Sequence, residues 1–123
     1  MNIDVENKNE LLAIHKLICA VKRSDDPDLP EALFSPFIAS FADKVISAII
    51  QTEINEGNLE LAEQWKNSIN VDNESILTEK FKKVIKDSTW WESLSEDEKR
   101  TFIWIFFSPC KPTKETFGAL IEM

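Results

Sequence analysis

The sequence predicts an all-α fold, a single compact bundle of about six or seven helices around a central apolar helix. Apolar residues recur every three or four positions in several segments, which is the period of an α-helix. Only two glycines, Gly57 and Gly118, occur among the 123 residues, whereas β-hairpin turns and phosphate-binding loops need residues that tolerate positive φ. A chain of this length that is 43% hydrophobic and 29% charged is typical of one globular domain, which we assign to residues 1–123.

The first helix is predicted from about Asn9 to Arg23. Its apolar stripe is formed by Leu11, Ile14, Leu17, Ile18 and Val21. Lys22 and Arg23 suit its end, because cations are stabilised near the C-terminus of a helix dipole. The segment SDDPDLPE then breaks the helix with two prolines, and a short helical turn is expected from Ala32 to Phe34.

The central helix is predicted to begin after Ser35, a capping residue that is followed by proline at the first helical position. It should last to about Glu56, because Gly57 occupies the usual left-handed position beyond a helix end. Two adjacent rows form its expected buried face: Phe37, Phe41, Val45 and Ile49, and beside them Ile38, Ala42, Ile46 and Ile50. So wide an apolar face indicates a helix with neighbours on more than one side.

Two further helices are predicted in the middle of the chain. One begins after Asn58 and lasts to about Ile69, and the next runs from Asn73 to about Asp87. The side chains expected to point inward are Leu61, Ala62, Trp65 and Ile69 in the first, and Ile76, Leu77, Phe81, Val84 and Ile85 in the second. Four lysines of the second, Lys80, Lys82, Lys83 and Lys86, indicate a solvated face.

The C-terminal part predicts two more helices. Ser95 and Glu98 have the spacing of a capping box, in which each side chain satisfies the other residue's backbone N–H. The segment FIWIFF that follows, residues 102–107, is read as helix, with a buried strand as the alternative. Pro112 should open the last helix, whose inward side chains are Phe117, Leu120 and Ile121.

The histidine and the two cysteines are the residues best suited to catalysis, but their pattern in the sequence does not indicate a catalytic or zinc site. His15 and Cys19 share one side of a helix, but we interpret His15 as the border of an apolar face. A structural zinc site needs four nitrogen or sulfur ligands, and Cys110 is the third and last that the chain offers. Lys111 could lower the pKa of Cys110, although nothing else marks that thiol. We therefore expect no catalytic residue, no metal and no cofactor, and free thiols instead of a disulfide.

The acidic residues are the strongest functional signal. A net charge of −8 disfavours direct binding to nucleic acid or to an anionic membrane surface, and favours a basic protein partner. One cluster consists of Glu53, Glu56, Glu60 and Glu63, and another, the stretch from Glu92 to Glu98, follows two tryptophans. Steering of a basic partner is one interpretation of these single-sign clusters, and general solubility is the other.

Trp90 and Trp91 should differ in exposure, because neighbours on a helix point about 100° apart. We expect one to pack against Phe81 and the other to stay partly exposed beside the acids, with burial of both as the alternative. Tryptophan is enriched in interface hot spots, and we assign Trp91 this role. The predicted partner-binding residues are Glu53, Glu56, Glu60, Glu63, Trp91, Glu92, Glu96 and Asp97.

This profile resembles the small immunity proteins of bacterial toxin systems, including those of contact-dependent growth inhibition. The shared features are a short, acidic, glycine-poor chain with Trp65, Trp90 and Trp91 near INEGNLELAEQW and TWWESLSEDEK. The resemblance implies a tight stoichiometric complex with a toxin, commonly a basic nuclease whose active cleft the acids would cover. It implies no catalytic residue, since such proteins act by occlusion.

Two other functions fit the same sequence. A nucleic-acid-mimicking inhibitor would need carboxylates spaced like phosphates along one face, and a helical adaptor would need a concave apolar surface that binds a peptide. The polar N-terminal segment MNIDVENKNE has no signal-peptide pattern, and no stretch is long enough to span a membrane. A cytoplasmic location is therefore expected.

Overall fold

The computed structural model describes residues 1–24 and 34–123, and it confirms the all-α class. Six α-helices lie in these ranges: α1 Lys8–Arg23, α2 Pro36–Asn55, α3 Leu59–Ser68, α4 Ile76–Lys86, α5 Glu96–Phe107 and α6 Lys114–Ile121. A single 3-10 turn, Trp91–Ser93, precedes α5. The short turn expected from Ala32 to Phe34 falls largely outside the described residues. Within the part of the chain that is described, no helix is both long and apolar enough to cross a membrane.

Side-chain caps set most of the helix starts. The Oγ atom of Ser35 accepts a hydrogen bond from the Ile38 N–H, which confirms the predicted start of α2. The capping box is also confirmed: Ser95 Oγ accepts from the Glu98 N–H, and Glu98 Oε1 accepts from the Ser95 N–H at 3.0 Å. The segment FIWIFF is consequently helical, within α5. Gly57, at φ 81°, follows the end of α2 in the left-handed region.

Two predicted starts were misplaced. The α4 helix begins after Ser75, whose hydroxyl caps it, and not at Asn73. The last helix is capped by Thr113 and not opened by Pro112. Pro112 belongs instead to a short parallel pair of strands, β1 Asn70–Val71 and β2 Lys111–Pro112. A strand of two residues is too short to leave a periodic pattern in the sequence, so this pair was not predicted.

The central position of α2 is confirmed, since it packs against α1, α3 and α5. One core cluster lies where α1, α2 and α3 meet, with Val45, Ile46, Ile49 and Ile69 buried. The larger cluster lies among α4, α5 and α6, and its buried members are Val71, Leu77, Phe81, Ile85, Trp91, Ile103, Phe106, Phe107, Cys110 and Leu120. The β1–β2 pair joins the segment after α3 to the segment after α5, so it links the two clusters.

The predicted inward face of α2 is wrong at its N-terminal end. Phe37 is 83% exposed and Phe41 is 44% exposed, and Ile38 is exposed as well. The helix turns about 100° per residue, so a step of four residues overshoots a full turn by about 40°. The row that is buried at Val45 and Ile49 therefore drifts off the buried side before it reaches Phe41. The contact stripe at this end consists instead of Ala39 and Ala42, which are fully buried.

The predicted inward side chains of Leu17 and Leu61 are exposed as well, and so is that of Ile76. Ile76 is exposed because it lies about 100° from Leu77 around α4, on the side away from Phe81 and Ile85. Lys80 of the same helix, predicted to be solvated, is half-buried, and its Nζ donates to the carbonyls of Lys22 and Ser24 at the end of α1. It thereby satisfies carbonyl groups that a helix end leaves without a partner in the helix.

Candidate protein-docking surface

The longer acidic cluster is only partly available to a partner. Glu53 is 1% exposed, and its Oε1 accepts a hydrogen bond from Lys8 Nζ at 2.6 Å. Glu56 Oε2 lies 3.1 Å from the same Nζ, and the two carboxylates raise the pKa of Lys8. The assignment of Glu53 to the binding surface is therefore wrong, because α2 turns this carboxylate inward against α1, where it forms an ion pair.

The rest of that cluster is exposed but partly neutralised. Glu63 forms an ion pair with Lys66 at 3.1 Å, one turn along α3. Glu60 is exposed and has no ion pair among residues 1–24 and 34–123. Two of the three accessible carboxylates, those of Glu56 and Glu63, thus have a cation within 4 Å, which weakens the field that this surface presents to a partner.

The two tryptophans differ in exposure as predicted, but their roles are exchanged. Trp91 is 3% exposed, stands edge-on against Phe81 at 5.6 Å between ring centroids, and donates from Nε1 to the Met123 carbonyl at 2.9 Å. Trp90 is 38% exposed, and its ring lies 4.8 Å from that of Phe102. The expectation that Trp91 is the exposed member is therefore wrong. The chain enters the 3-10 turn at this point, and the turn directs Trp91 into the core.

An apolar groove lies beside Trp90. Its volume is about 500 Å³, and its lining residues are Trp90, Leu94, Asp97, Glu98, Thr101, Phe102 and Ile105. The last five share one side of α5, because they recur at helical spacing, while Trp90 and Leu94 flank the 3-10 turn and form the opposite wall. The floor is aromatic and aliphatic, and two carboxylates stand at its edge. This combination was not predicted, since the groove exists only where the turn packs beside α5.

The cations nearest to this groove in sequence are directed elsewhere. Lys99 Nζ lies over the Trp91 ring, 5.1 Å from the centroid, and Arg100 lies over the Phe117 ring at 5.2 Å. Arg100 also pairs with Glu96 at 2.9 Å. Asp97 and Glu98 have no ion pair within the described ranges, so the edge of the groove keeps its negative charge. Hydrogen bonds from Ser95 lower the pKa of Glu98, which favours its charged form.

The remaining predicted acids lie close to the groove in sequence. Glu92 is exposed within the 3-10 turn between Trp90 and Leu94, and Glu96 is exposed at the first position of α5. The structure thus places Asp97 in the groove, with Glu92 and Glu96 close by in sequence. The other groove residues were not in the predicted binding set: Trp90, Leu94, Glu98, Thr101, Phe102 and Ile105. Glu98 was predicted as a member of the acidic stretch from Glu92 to Glu98 and of the capping box, but not as a partner-binding residue.

The thiols and the histidine form a separate cluster. Cys19 Sγ lies 3.6 Å from His15 Nε2, and His15 stands edge-on against Trp65. Cys110, distant in sequence, lines the same pocket of about 390 Å³. Both thiols are free, and burial raises their pKa values, so the expected effect of Lys111 on Cys110 is wrong. Thiols with raised pKa values are poor nucleophiles at neutral pH.

Burial also lowers the pKa of His15, which keeps its imidazole neutral at pH 7. Among residues 1–24 and 34–123, no group of three or more histidine, cysteine, aspartate or glutamate side chains could hold a metal ion. The groove beside Trp90 is therefore the stronger candidate site, because it combines an exposed aromatic surface with carboxylates that have no ion pair.

Comparison with protein-family models, with curated proteins and with solved structures gives no match to this chain.

Proposed function

We propose that this protein is an acidic protein-binding module that neutralises a basic partner, and that the partner docks at the groove beside Trp90. The observation that carries the proposal is an apolar groove edged by Asp97 and Glu98, whose neighbouring cations Lys99 and Arg100 are engaged on other faces. In its most specific form, the proposal is an immunity protein that occludes the active cleft of a cognate nuclease toxin, as the resemblance implies.

The acids and the aromatic floor would have different roles in binding. Unpaired carboxylates attract a basic partner over a distance of about 8–10 Å at ordinary salt, and so they raise the association rate. A tryptophan that becomes buried on binding slows dissociation, because its short-range contacts with the partner must be broken before the two proteins can separate. Glu96 is paired with Arg100, whereas Glu92, Asp97 and Glu98 have no ion pair within the described ranges. Exposed Trp90 and these three carboxylates therefore replace the Glu53–Glu63 cluster as the leading candidate surface.

The groove also favours the second candidate, a helical adaptor that binds a peptide. An inhibitor and an adaptor can use the same contacts, and they differ in the consequence of binding. An immunity protein abolishes the activity of its partner at a one-to-one ratio, whereas an adaptor leaves that activity intact. Electrostatic steering by the acids gives the inhibitor a strong salt dependence, and an adaptor that binds mainly through apolar contact has a weak one.

The test begins with capture of the partner from the source cell on the immobilised full chain, with Trp90→Ala as the parallel bait. Association and dissociation rates are then measured with the purified partner between about 0.03 and 0.3 M salt. The triple variant Glu92→Gln, Asp97→Asn, Glu98→Gln should lower the association rate about three- to tenfold at low salt. Trp90→Ala should instead raise the dissociation rate by about tenfold or more.

The matched control is the triple variant Glu56→Gln, Glu60→Gln, Glu63→Gln, which removes equal charge from the other acidic cluster. It should change the association rate less than the groove variant does. An association rate that depends neither on salt nor on the groove acids would contradict the proposal. If the partner is a nuclease that stays fully active at saturation, the immunity form is wrong and the adaptor form replaces it.

A further inference from the structure

We infer that the segment of the partner that enters this groove is a basic amphipathic helix, with apolar anchors on the groove floor and lysine or arginine on its flank. This inference rests on the proposed function and specifies the partner element that it leaves open. It follows from three features of the groove: the absence of a strand edge, its length along α5, and the charge of its edge.

An extended segment has no backbone partners in this groove. Among the described residues, the walls are formed by α5 and by the residues around the 3-10 turn. The only strands in that part of the chain, β1 and β2, are two residues long and do not line the groove. A peptide that leaves water must satisfy its backbone N–H and C=O groups. A strand would need an exposed sheet edge for this purpose, whereas a helix makes these hydrogen bonds internally. The groove therefore favours a helix over an added strand.

The length of the groove sets the spacing of the anchors. The lining residues on α5 extend from Asp97 to Ile105, eight steps of about 1.5 Å, or about 12 Å. A partner helix that runs along the groove places about two turns in that length. Its contacts are then apolar side chains at positions i, i+3 or i+4, and i+7. The aromatic and aliphatic floor of Trp90, Phe102 and Ile105 matches such a stripe.

The negative charge at the edge of the groove determines which residues should flank the apolar stripe of the partner helix. Asp97 and Glu98 are exposed at one end of the floor, and Glu98 is held in place by its hydrogen bond with the Ser95 N–H. Lys99 and Arg100 contact the Trp91 and Phe117 rings and so do not neutralise these two carboxylates. A helix with lysine or arginine beside its apolar stripe would pair with both, and an acidic helix would be repelled by them and by the net charge of −8.

The test uses synthetic peptides and the full chain. The first peptide, of about 16 residues, carries leucine at the stripe positions and lysine elsewhere. A second peptide has the same composition in an order that gives no stripe, and a third has proline at two central positions, which prevents a helix. Affinities are measured by isothermal titration calorimetry. The striped peptide should bind at least about tenfold more tightly than either control peptide.

Protein variants then locate the binding. Trp90→Ala, and separately Asp97→Asn with Glu98→Gln, should each weaken the striped peptide by about tenfold. The matched controls are Phe37→Ala, which removes a more exposed aromatic outside the groove lining, and Glu60→Gln, which removes an unpaired acid on α3. Both should leave the affinity unchanged. Circular dichroism of each variant confirms that its helical content is retained.

Four outcomes would overturn the inference. Equal affinity for the striped and scrambled peptides would show binding by charge alone, and equal affinity for the proline peptide would show an extended occupant. Concentration-dependent self-association that Trp90→Ala abolishes, measured by sedimentation velocity, would show that a second copy fills the groove. If no striped peptide binds but a captured basic partner still depends on Asp97 for association, only this inference fails. If no basic partner depends on the groove, the proposed function fails as well.

Discussion

Raising the pH from about 7 to 9 should stabilise this protein through Lys22. The side chain is only 2% exposed, and its Nζ donates to the carbonyls of Ile105 at 2.7 Å and Phe106 at 3.2 Å, at the C-terminal end of α5. Burial lowers the pKa of Lys22 from 10.5 to about 8, against a smaller opposing effect of Cys110 and Asp43. The unfolded chain should keep the ordinary lysine pKa.

The sign follows from proton binding. Between the two pKa values the unfolded chain holds a proton that the folded protein has released, so the free energy of unfolding rises with pH. The cost of burying the charged amine is fully present below about pH 8 and is relieved as the pH approaches 10.5. At about 1.4 kcal/mol per pKa unit, the full shift corresponds to about 3 kcal/mol. From pH 7 to 9, a group with these two pKa values contributes about 1 kcal/mol.

The assay is urea unfolding at constant ionic strength, followed by circular dichroism at pH 7, 8 and 9. Lys22→Met is the reference protein, because it keeps the length of the side chain and cannot titrate. The stability of the unmodified protein should rise relative to Lys22→Met by about 1 kcal/mol across this window. If the difference in unfolding free energy between the two proteins is the same at pH 7, 8 and 9, the reasoning is refuted, whatever the size of that difference. The two thiols act in the opposite direction over this window, because burial raises their pKa values in the folded protein and they ionise first in the unfolded chain. Lys22→Met keeps both thiols, so the comparison with it removes their contribution.

Three further predictions concern the two adjacent tryptophans, Phe41 and the two thiols. Trp91→Ala should lower the free energy of unfolding by about 3–5 kcal/mol, and Trp90→Ala by about 1 kcal/mol or less; equal losses in urea unfolding would contradict their placement. Phe41→Ala should cost about 1 kcal/mol, and not the 3–5 kcal/mol of a buried phenylalanine, by the same measurement. Replacing Cys19 and Cys110 with alanine should preserve peptide affinity in calorimetry, with a stability loss of about 1 kcal/mol from the buried Cys110; lost affinity in a folded double variant would point to thiol chemistry.

The sequence by itself determined the helices and most of their ends, because these depend on local interactions. Ser35 and Ser95 bond to backbone groups three residues away, and Gly57 supplies a backbone conformation that other residues avoid. The 3.6-residue period likewise predicted that Leu77, Phe81 and Ile85 are buried. The excess of acids is read directly from the sequence, and one exposed tryptophan in the Trp90–Trp91 pair was predicted from it, with burial of both as the alternative.

Only the tertiary structure decided which side chains those helices expose. Glu53 reads as one more surface acid until α1 brings Lys8 within 2.6 Å of it. Trp90 and Trp91 are chemically identical, and the packing of the 3-10 turn on Phe81 determines which of them is buried. The groove depends in the same way on the turn lying beside α5. Such contacts join residues far apart in the chain, or depend on the orientation of a short turn, and neither leaves a periodic pattern in the sequence.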